Sequence, residues 1–214
     1  EDNWQLCGMR RRYGRLMAET FHPIISDWFA ERFGAPTPVQ KAAWPVITSR
    51  QHVLVTAPTG SGKTLAAFLV ALDRLLSGAL TGGTTRVLYV SPLKALNSDV
   101  RKNLLEPLEE LRQRFPSPPG IAVQTRSGDT PQFERRRMVR QPPEILITTP
   151  ESLNLLLSTP SGRDILGDLD TVILDEIHAI AGSKRGSHLI TAIERLTRYS
   201  GDFQRIAISA TVKP

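Results

Sequence analysis

The 214 residues include one cysteine, three tryptophans and three tyrosines, and aromatic residues make up only 6% of the chain. Cys7 has no partner for an internal disulfide, so the thiol leaves the redox compartment open and the cytoplasm is the default expectation. No apolar run approaches the roughly 20 residues that a membrane-spanning helix needs. The N-terminus has no signal-type apolar region, so neither membrane insertion nor export is expected. Four histidines and one cysteine do not fall at zinc spacing, and a structural zinc site is not expected. Long Pro/Gly-rich linkers and internal repeats are also missing. "PSPPG" (Pro116 to Gly120) is too short to separate domains and reads as a rigid connection.

What is present is 40% apolar and 22% charged, enough to bury a full core in one large domain. Lys plus Arg exceed Asp plus Glu by 27 to 21, a formal charge of +6. The surplus is local, in "MRRRYGR" (Met9 to Arg15) and "ERRRMVR" (Glu134 to Arg140), which suits either ordinary solubility or a polyanion surface. Arg135, Arg136 and Arg137 are consecutive on a predicted helix, so they cannot all face one partner and read first as a solvated face.

Six short runs read as strands: His52 to Ala57, Arg86 to Ser91, Ile121 to Thr125, Glu144 to Thr149, Thr171 to Asp175 and Arg205 to Ser209. They are rich in Val and Ile and nearly continuous in apolar character, as strands covered on both faces should be. Between them lie helix-period stretches over Gly62 to Leu76, Leu93 to Arg114, Glu151 to Leu157 and Gly186 to Tyr199. Two more helices precede the first strand, one carrying Ile24, Ile25, Trp28, Phe29 and Phe33 and ending at Gly34, the next beginning at Pro38. Strands alternating with helices predict an α/β fold with a mostly parallel central sheet and helices on both faces.

In that setting "TAPTGSGKT" (Thr56 to Thr64) follows a strand and opens a helix. Thr59, Gly60, Ser61 and Gly62 form a loop whose backbone can curl round oxyanions, with amides at the helix start as donors. Lys63 can reach the outer phosphates, and Thr64 can offer its hydroxyl to magnesium. Ala57 stands where the phosphate-loop pattern has its first glycine. "VILDEIH" (Val172 to His178) supplies the complementary acids at a strand end: Asp175 to hold Mg2+ and Glu176 to orient or deprotonate the attacking water. Lys63, Asp175 and Glu176 are therefore the catalytic candidates, Thr64 and Asp175 the metal candidates, and a nucleoside triphosphate with Mg2+ the pair they would hold. The reaction class is hydrolysis of a nucleoside triphosphate.

"APTGSGKT", "SPLKAL" (Ser91 to Leu96), "TTPESL" (Thr148 to Leu153), "DEIH" (Asp175 to His178) and "SAT" (Ser209 to Thr211) occur in this order, with "GAPTPVQ" (Gly34 to Gln40) ahead of them. Together they resemble the first motor domain of a superfamily-2 DEAD/DEAH-type helicase, a RecA-like P-loop NTPase fold, over roughly Phe21 to Thr211. "FHPIISDWFAERFGAPTPVQ", "SPLKALNSDV", "RSGDT" and "SKRG" resemble the Lhr (large helicase-related) family within it. The resemblance implies an N-terminal basic segment and helix over 1–35, leading into a Q-motif, and an ATP-binding motor domain over 36–214. It also implies a second RecA-like domain elsewhere that carries an arginine finger. The sequence ends at "SATVKP" with no stop-like tail, so an excised domain is expected, one that binds ATP weakly and hydrolyses it poorly alone.

By the same resemblance Gln40 recognises adenine, which implies that the nucleotide is ATP and the cofactor pair ATP with Mg2+. Phe21 and Phe33 are each candidates either to stack on the base or to belong to the core. Lys94, Arg126, Gly128, Thr149, Pro150 and Arg185 match or flank segments that touch the nucleic-acid backbone. Thr149 and Glu151 can equally cap a helix, and the two roles are compatible. His178, Ser209 and Thr211 are implied to couple the ATP site to the nucleic-acid channel. The implied partner is single-stranded or tailed duplex nucleic acid, DNA rather than RNA, with 3′ to 5′ translocation and a role in repair, and no membrane. An RNA or hybrid helicase, a P-loop kinase or transport ATPase, and a binding scaffold with vestigial ATPase are the rival readings.

Overall fold

In the computed structural model, which describes residues 16–92 and 100–210, all six predicted strands form. They are β1 (Val53–Thr56), β2 (Val87–Val90), β3 (Val123–Arg126), β4 (Ile145–Thr148), β5 (Thr171–Leu174) and β6 (Gln204–Ser209). Every pair is parallel, and the sheet order is β1-β6-β5-β2-β4-β3. β3 starts and ends later than the sequence suggests, so Arg126 is its last residue and stands at the carboxyl edge.

The helices follow their capping chemistry. α1 (Pro23–Phe33) ends at Gly34, whose φ of 74° needs no Cβ. α2 (Pro38–Thr48) begins with a complete capping box between Thr37 and Gln40. α3 (Lys63–Leu76) is buried on nearly every side. Residues Arg101–Leu105 form a π-helical turn that leads into α4 (Glu106–Arg114). α5 (Gln132–Arg140), α6 (Pro150–Leu157), α7 (Pro160–Ile165) and α8 (Lys184–Ser200) follow along the chain. The last starts two residues before the predicted Gly186, because Ser183 caps it by accepting from the Gly186 amide.

Strand alternation sends side chains to two hydrophobic clusters, one per face of the sheet. Val87, Tyr89, Ile145, Ile147, Ile173 and Ile206 pack with α1 to α4. Leu88, Val90, Leu146 and Val172 pack with α6, α7 and α8. The aromatic residues of α1 join the first cluster, with Phe29 edge-on to Trp44 at 5.4 Å. β2 and β4 are buried along their whole length, as their unbroken apolar runs predict. The edge strands depart from that expectation. Leu54 of β1 is 58% exposed, because it points to the face where the α6–α8 layer does not extend over β1.

Candidate nucleotide site and the adjoining sheet edge

Between β1 and α3 the chain makes a six-residue loop in which Gly60 (φ 80°) and Gly62 (φ 86°) adopt conformations that other L-residues avoid. Gly62 is also needed for space, since a Cβ there would meet the Gln40 amide nitrogen at 2.6 Å. Ala57 has no positive φ, and its amide donates to Ser209 O at 3.3 Å, so the first loop position does not require glycine here. The Lys63 ammonium is buried and donates to the carbonyls of Ala57 (2.6 Å) and Pro58 (2.8 Å), across the mouth of the loop. Ser61 Oγ is buried without a hydrogen-bond partner, a donor that an oxyanion in the loop would satisfy.

Asp175 follows β5 and remains tied to the sheet through its amide, which donates to Val90 O at 2.9 Å. Its carboxylate is buried and lies beside the loop, with Thr64 Oγ1 3.5 Å from Oδ2. Oδ1 accepts from the Glu176 amide at 2.8 Å, and Oδ2 accepts from the Tyr89 hydroxyl. Glu176 itself takes a left-handed backbone (φ 51°, ψ 37°), which costs a non-glycine residue roughly 1–2 kcal/mol. That turn places Glu176 on the wall of a cleft of about 380 Å3, shared with Phe33, Gln40, Gly60, Lys63 and Thr64.

His178 joins this acid to β6. Its Nδ1 accepts from the Ala210 amide at 3.1 Å, which fixes the tautomer with the proton on Nε2. Nε2 lies 3.1 Å from Glu176 Oε2 and donates to it. Ser209, paired with Thr56 in register, donates through its hydroxyl to Ala210 O at 2.9 Å. The loop, the acidic turn and the end of β6 thus form one hydrogen-bonded unit. Thr211, Lys94 and the basic residues Arg10, Arg11, Arg12 and Arg15 lie outside the described residues.

Gln40 is buried, its Oε1 accepting from Thr37 N at 2.9 Å and its Nε2 3.4 Å from Gly62 O. Thr37 Oγ1 donates to Ser61 O at 2.9 Å, so the helix cap and the phosphate loop share bonds. The two phenylalanine candidates separate cleanly. Phe21 is core, edge-on to Trp44 at 4.9 Å, whereas Phe33 lines the cleft and is 42% exposed. Lys102 and Asn103 of the π-helical turn line the same cleft and carry no motif that would have marked them.

The remaining candidates lie on the other half of the carboxyl edge. The sheet order puts the loops after β1, β6 and β5 side by side, and then those after β2, β4 and β3. Arg126 is half-buried, and burial followed by repulsion from Arg135 holds its guanidinium below the usual range. The loop after it is stapled by Thr130 Oγ1, which accepts from Ser127 N at 2.8 Å. Arg135 donates to Thr130 O and Gly128 O at 2.8 and 2.7 Å. Arg135 therefore turns inward to brace this loop, while Arg136 and Arg137 are exposed. The expectation of a common solvated face is corrected for Arg135. Thr149 caps α6 by accepting from Ser152 N at 3.3 Å, and Pro150 is buried at its first turn. Arg185 donates to Glu151 Oε1 at 2.6 Å and to Pro92 O at 2.9 Å, bridging three segments of this edge. Burial is the largest single influence on Glu151 and opposes its ionisation, but the Arg185 hydrogen bond and charge, its own backbone amide and the Thr149 hydroxyl together outweigh it and hold the carboxyl below the ordinary carboxylate range.

Comparison with known proteins bears on this arrangement directly. Residues 37–214 match the DEAD/DEAH box helicase family. The chain is 49% identical to the Lhr helicase/uracil glycosylase of Escherichia coli (strain K12), over 92% of its own length but 14% of that protein. It is 45% identical to the ATP-dependent helicase Lhr-Core of Sulfolobus acidocaldarius, over 91% of its length and 23% of that protein. The structure of Mycobacterium smegmatis helicase Lhr bound to ssDNA and AMP-PNP superposes with a TM-score of 0.83 at 50% identity, covering 91% of this chain and 25% of that one. The chain thus spans between about a seventh and a quarter of the length of these relatives. It belongs to the DEAD/DEAH box helicase family, and within that family to the Lhr helicases, as one RecA-like motor domain.

Proposed function

We propose that this chain is the ATP-binding motor domain of a 3′ to 5′ DNA helicase or translocase that serves DNA repair. On this reading residues 36–214 are the motor unit, preceded by the segment 1–35, and a second RecA-like domain completes the ATP site. The observation that carries it is the single carboxyl edge on which the phosphate loop and acidic turn adjoin the loops after β2, β4 and β3. His178 and Ser209 link the hydrolytic acid to the strand end beside the phosphate loop. Backbone amides, helix starts and hydroxyls along the second half suit phosphate oxygens rather than base edges, which predicts weak sequence preference and strong salt dependence. The Lhr structure bound to ssDNA and AMP-PNP supports the choice of DNA and of an adenine nucleotide.

Thr64 and Asp175 fit a magnesium ion, with two oxygen ligands facing one another 3.5 Å apart beside the phosphate loop. Bound there, the ion would neutralise charge on the phosphates. Lys63 would give up its loop carbonyls for phosphate oxygens, and Ser61 would gain the partner it lacks. Glu176 would orient the attacking water and take its proton, and His178 would hold that carboxylate in place. Gln40 and Phe33 would meet the adenine. No helix among the described residues is long and apolar enough to cross a membrane. The proposed compartment is the cytoplasm.

The test uses the full-length protein that carries this chain. Glu176→Gln should lower DNA-stimulated ATP hydrolysis by about a hundredfold or more while ATP and single-stranded DNA still bind. Matched DNA, RNA and hybrid duplexes with tails of each polarity should show unwinding of the 3′-tailed DNA first. Unwinding by the Gln variant at the wild-type rate would remove Glu176 from the reaction, and a wild-type protein that binds DNA without DNA-stimulated hydrolysis would point to a scaffold instead.

A further inference from the structure

Tyr89 stands in the middle of β2, fully buried, among strands built almost entirely from Val, Leu and Ile. Strand alternation sends it with Val87 toward α3, where its ring lies against Phe68 with centroids 4.9 Å apart. For packing alone a phenylalanine would serve, and the hydroxyl is what a core position does not need. A buried phenol must find an acceptor. Tyr89 pairs in register with Ile173, two residues short of Asp175, and its long side chain spans that gap to donate to Asp175 Oδ2.

The consequence lies at the carboxylate. Asp175 Oδ1 is held by the Glu176 amide at 2.8 Å, and Oδ2, the oxygen that faces Thr64, is held by Tyr89. The Glu176 amide and the Tyr89 hydroxyl thus hold opposite oxygens of the carboxylate, with the Thr64 hydroxyl beside the second. Both donors come from rigid places, one from the adjoining turn and one from the central strand of the sheet. The carboxylate of a residue that stands just beyond its strand is thereby denied its free rotation.

We infer that Tyr89 is a positioning residue for the metal-site carboxylate, holding Asp175 Oδ2 beside Thr64 so that magnesium meets a preformed pair of oxygens. The inference rests on the reading of this cleft as an ATP–magnesium site. Tyr89 touches neither nucleotide nor metal and acts through Asp175. An ordered carboxylate costs the ion less to engage than a mobile one, so the hydroxyl should appear as magnesium affinity rather than as nucleotide affinity.

The experiment titrates magnesium chloride against the full-length protein with mant-ADP, following the magnesium-dependent gain in nucleotide affinity. Tyr89→Phe keeps the ring and removes one oxygen. It should raise the half-saturating magnesium concentration about three- to tenfold, with mant-ADP affinity in EDTA and single-stranded DNA affinity both unchanged. Phe68→Leu disturbs the packing of the same ring without touching the hydroxyl. It should lower the melting temperature and leave the magnesium midpoint where it was. Asp175→Asn separates the two claims. If it leaves the magnesium response intact, the site reading itself is wrong. If it abolishes the response while Tyr89→Phe matches wild type, only the role of Tyr89 falls. A Tyr89→Phe protein that does not fold, or that binds magnesium more tightly, overturns the positioning role as well.

Discussion

Asp73, near the end of α3, accepts from the backbone amide of His22 at 2.7 Å and so fixes the start of α1. Burial is the largest influence on its carboxyl and raises its pKa above the ordinary value, and the His22 amide and Arg74 only partly offset that. The neutral form is favoured in the fold, so the stability this group contributes is full below the unfolded pKa and is lost as pH rises through the folded one. Asn keeps the acceptor and cannot ionise. Asp73→Asn should therefore raise the melting temperature at pH 7 to 8 and lose that advantage near pH 4. A melting temperature that instead falls at pH 7 to 8 and recovers near pH 4 would mean that the charge itself is needed. At this scale the sequence is legible where chemistry repeats a pattern. Lys63, Thr64, Asp175 and Glu176 stand out by motif, and all four converge within the cleft or on its wall. Tyr89 does not stand out, because its partner lies 86 residues away and a tyrosine inside an apolar run looks like any strand residue.

Helix starts show why some elements can be read and others cannot. Three Thr-Pro pairs open α2, α6 and α7, and each threonine hydroxyl accepts from the amide three residues on: Gln40, Ser152 and Gly162. The first two precede apolar residues at helical spacing and are found from sequence. The third opens "PSGRDI", which is six residues long, has one strongly apolar side chain and carries a glycine, so its period is invisible. That glycine is required by packing, since a Cβ at Gly162 would lie 2.2 Å from Leu156 O. Thr149 is the cap with a proposed second role at the nucleic-acid edge. Thr149→Ala should cost about 1 kcal/mol of stability, and for a chain of this size about 2–4 °C in Tm. Thr149→Ser keeps the cap oxygen and should restore stability. Single-stranded DNA affinity measured on both variants then separates the roles, because a loss in Ala that Ser repairs, together with unchanged stability, would assign Thr149 to the ligand alone.

At the scale of the whole molecule, the described residues form one sheet between two cores, and β2 serves both, with Val87 and Tyr89 on one face and Leu88 and Val90 on the other. The alternation of strands and helices announces a parallel sheet, but the order β1-β6-β5-β2-β4-β3 depends on long-range pairing that no local period encodes. The same is true of the uncovered face beside Leu54. A shared central strand should make the two cores unfold together. Leu88 is fully buried in the cluster formed with α6 and α8, and truncating it to Ala should cost about 2–5 kcal/mol. Trp28 and Trp44 lie in the opposite cluster, so their fluorescence reports a core that Leu88 does not touch. In urea titrations of the 214-residue chain, Leu88→Ala should lower the midpoint seen by tryptophan fluorescence as much as that seen by far-ultraviolet circular dichroism, with the slope unchanged. A fluorescence midpoint that stays at the wild-type value while the dichroism midpoint falls would mean that the sheet does not transmit stability between its faces. The coupling expected between the phosphate loop on β1 and the loops after β2, β4 and β3 would then lack the rigid frame on which it depends.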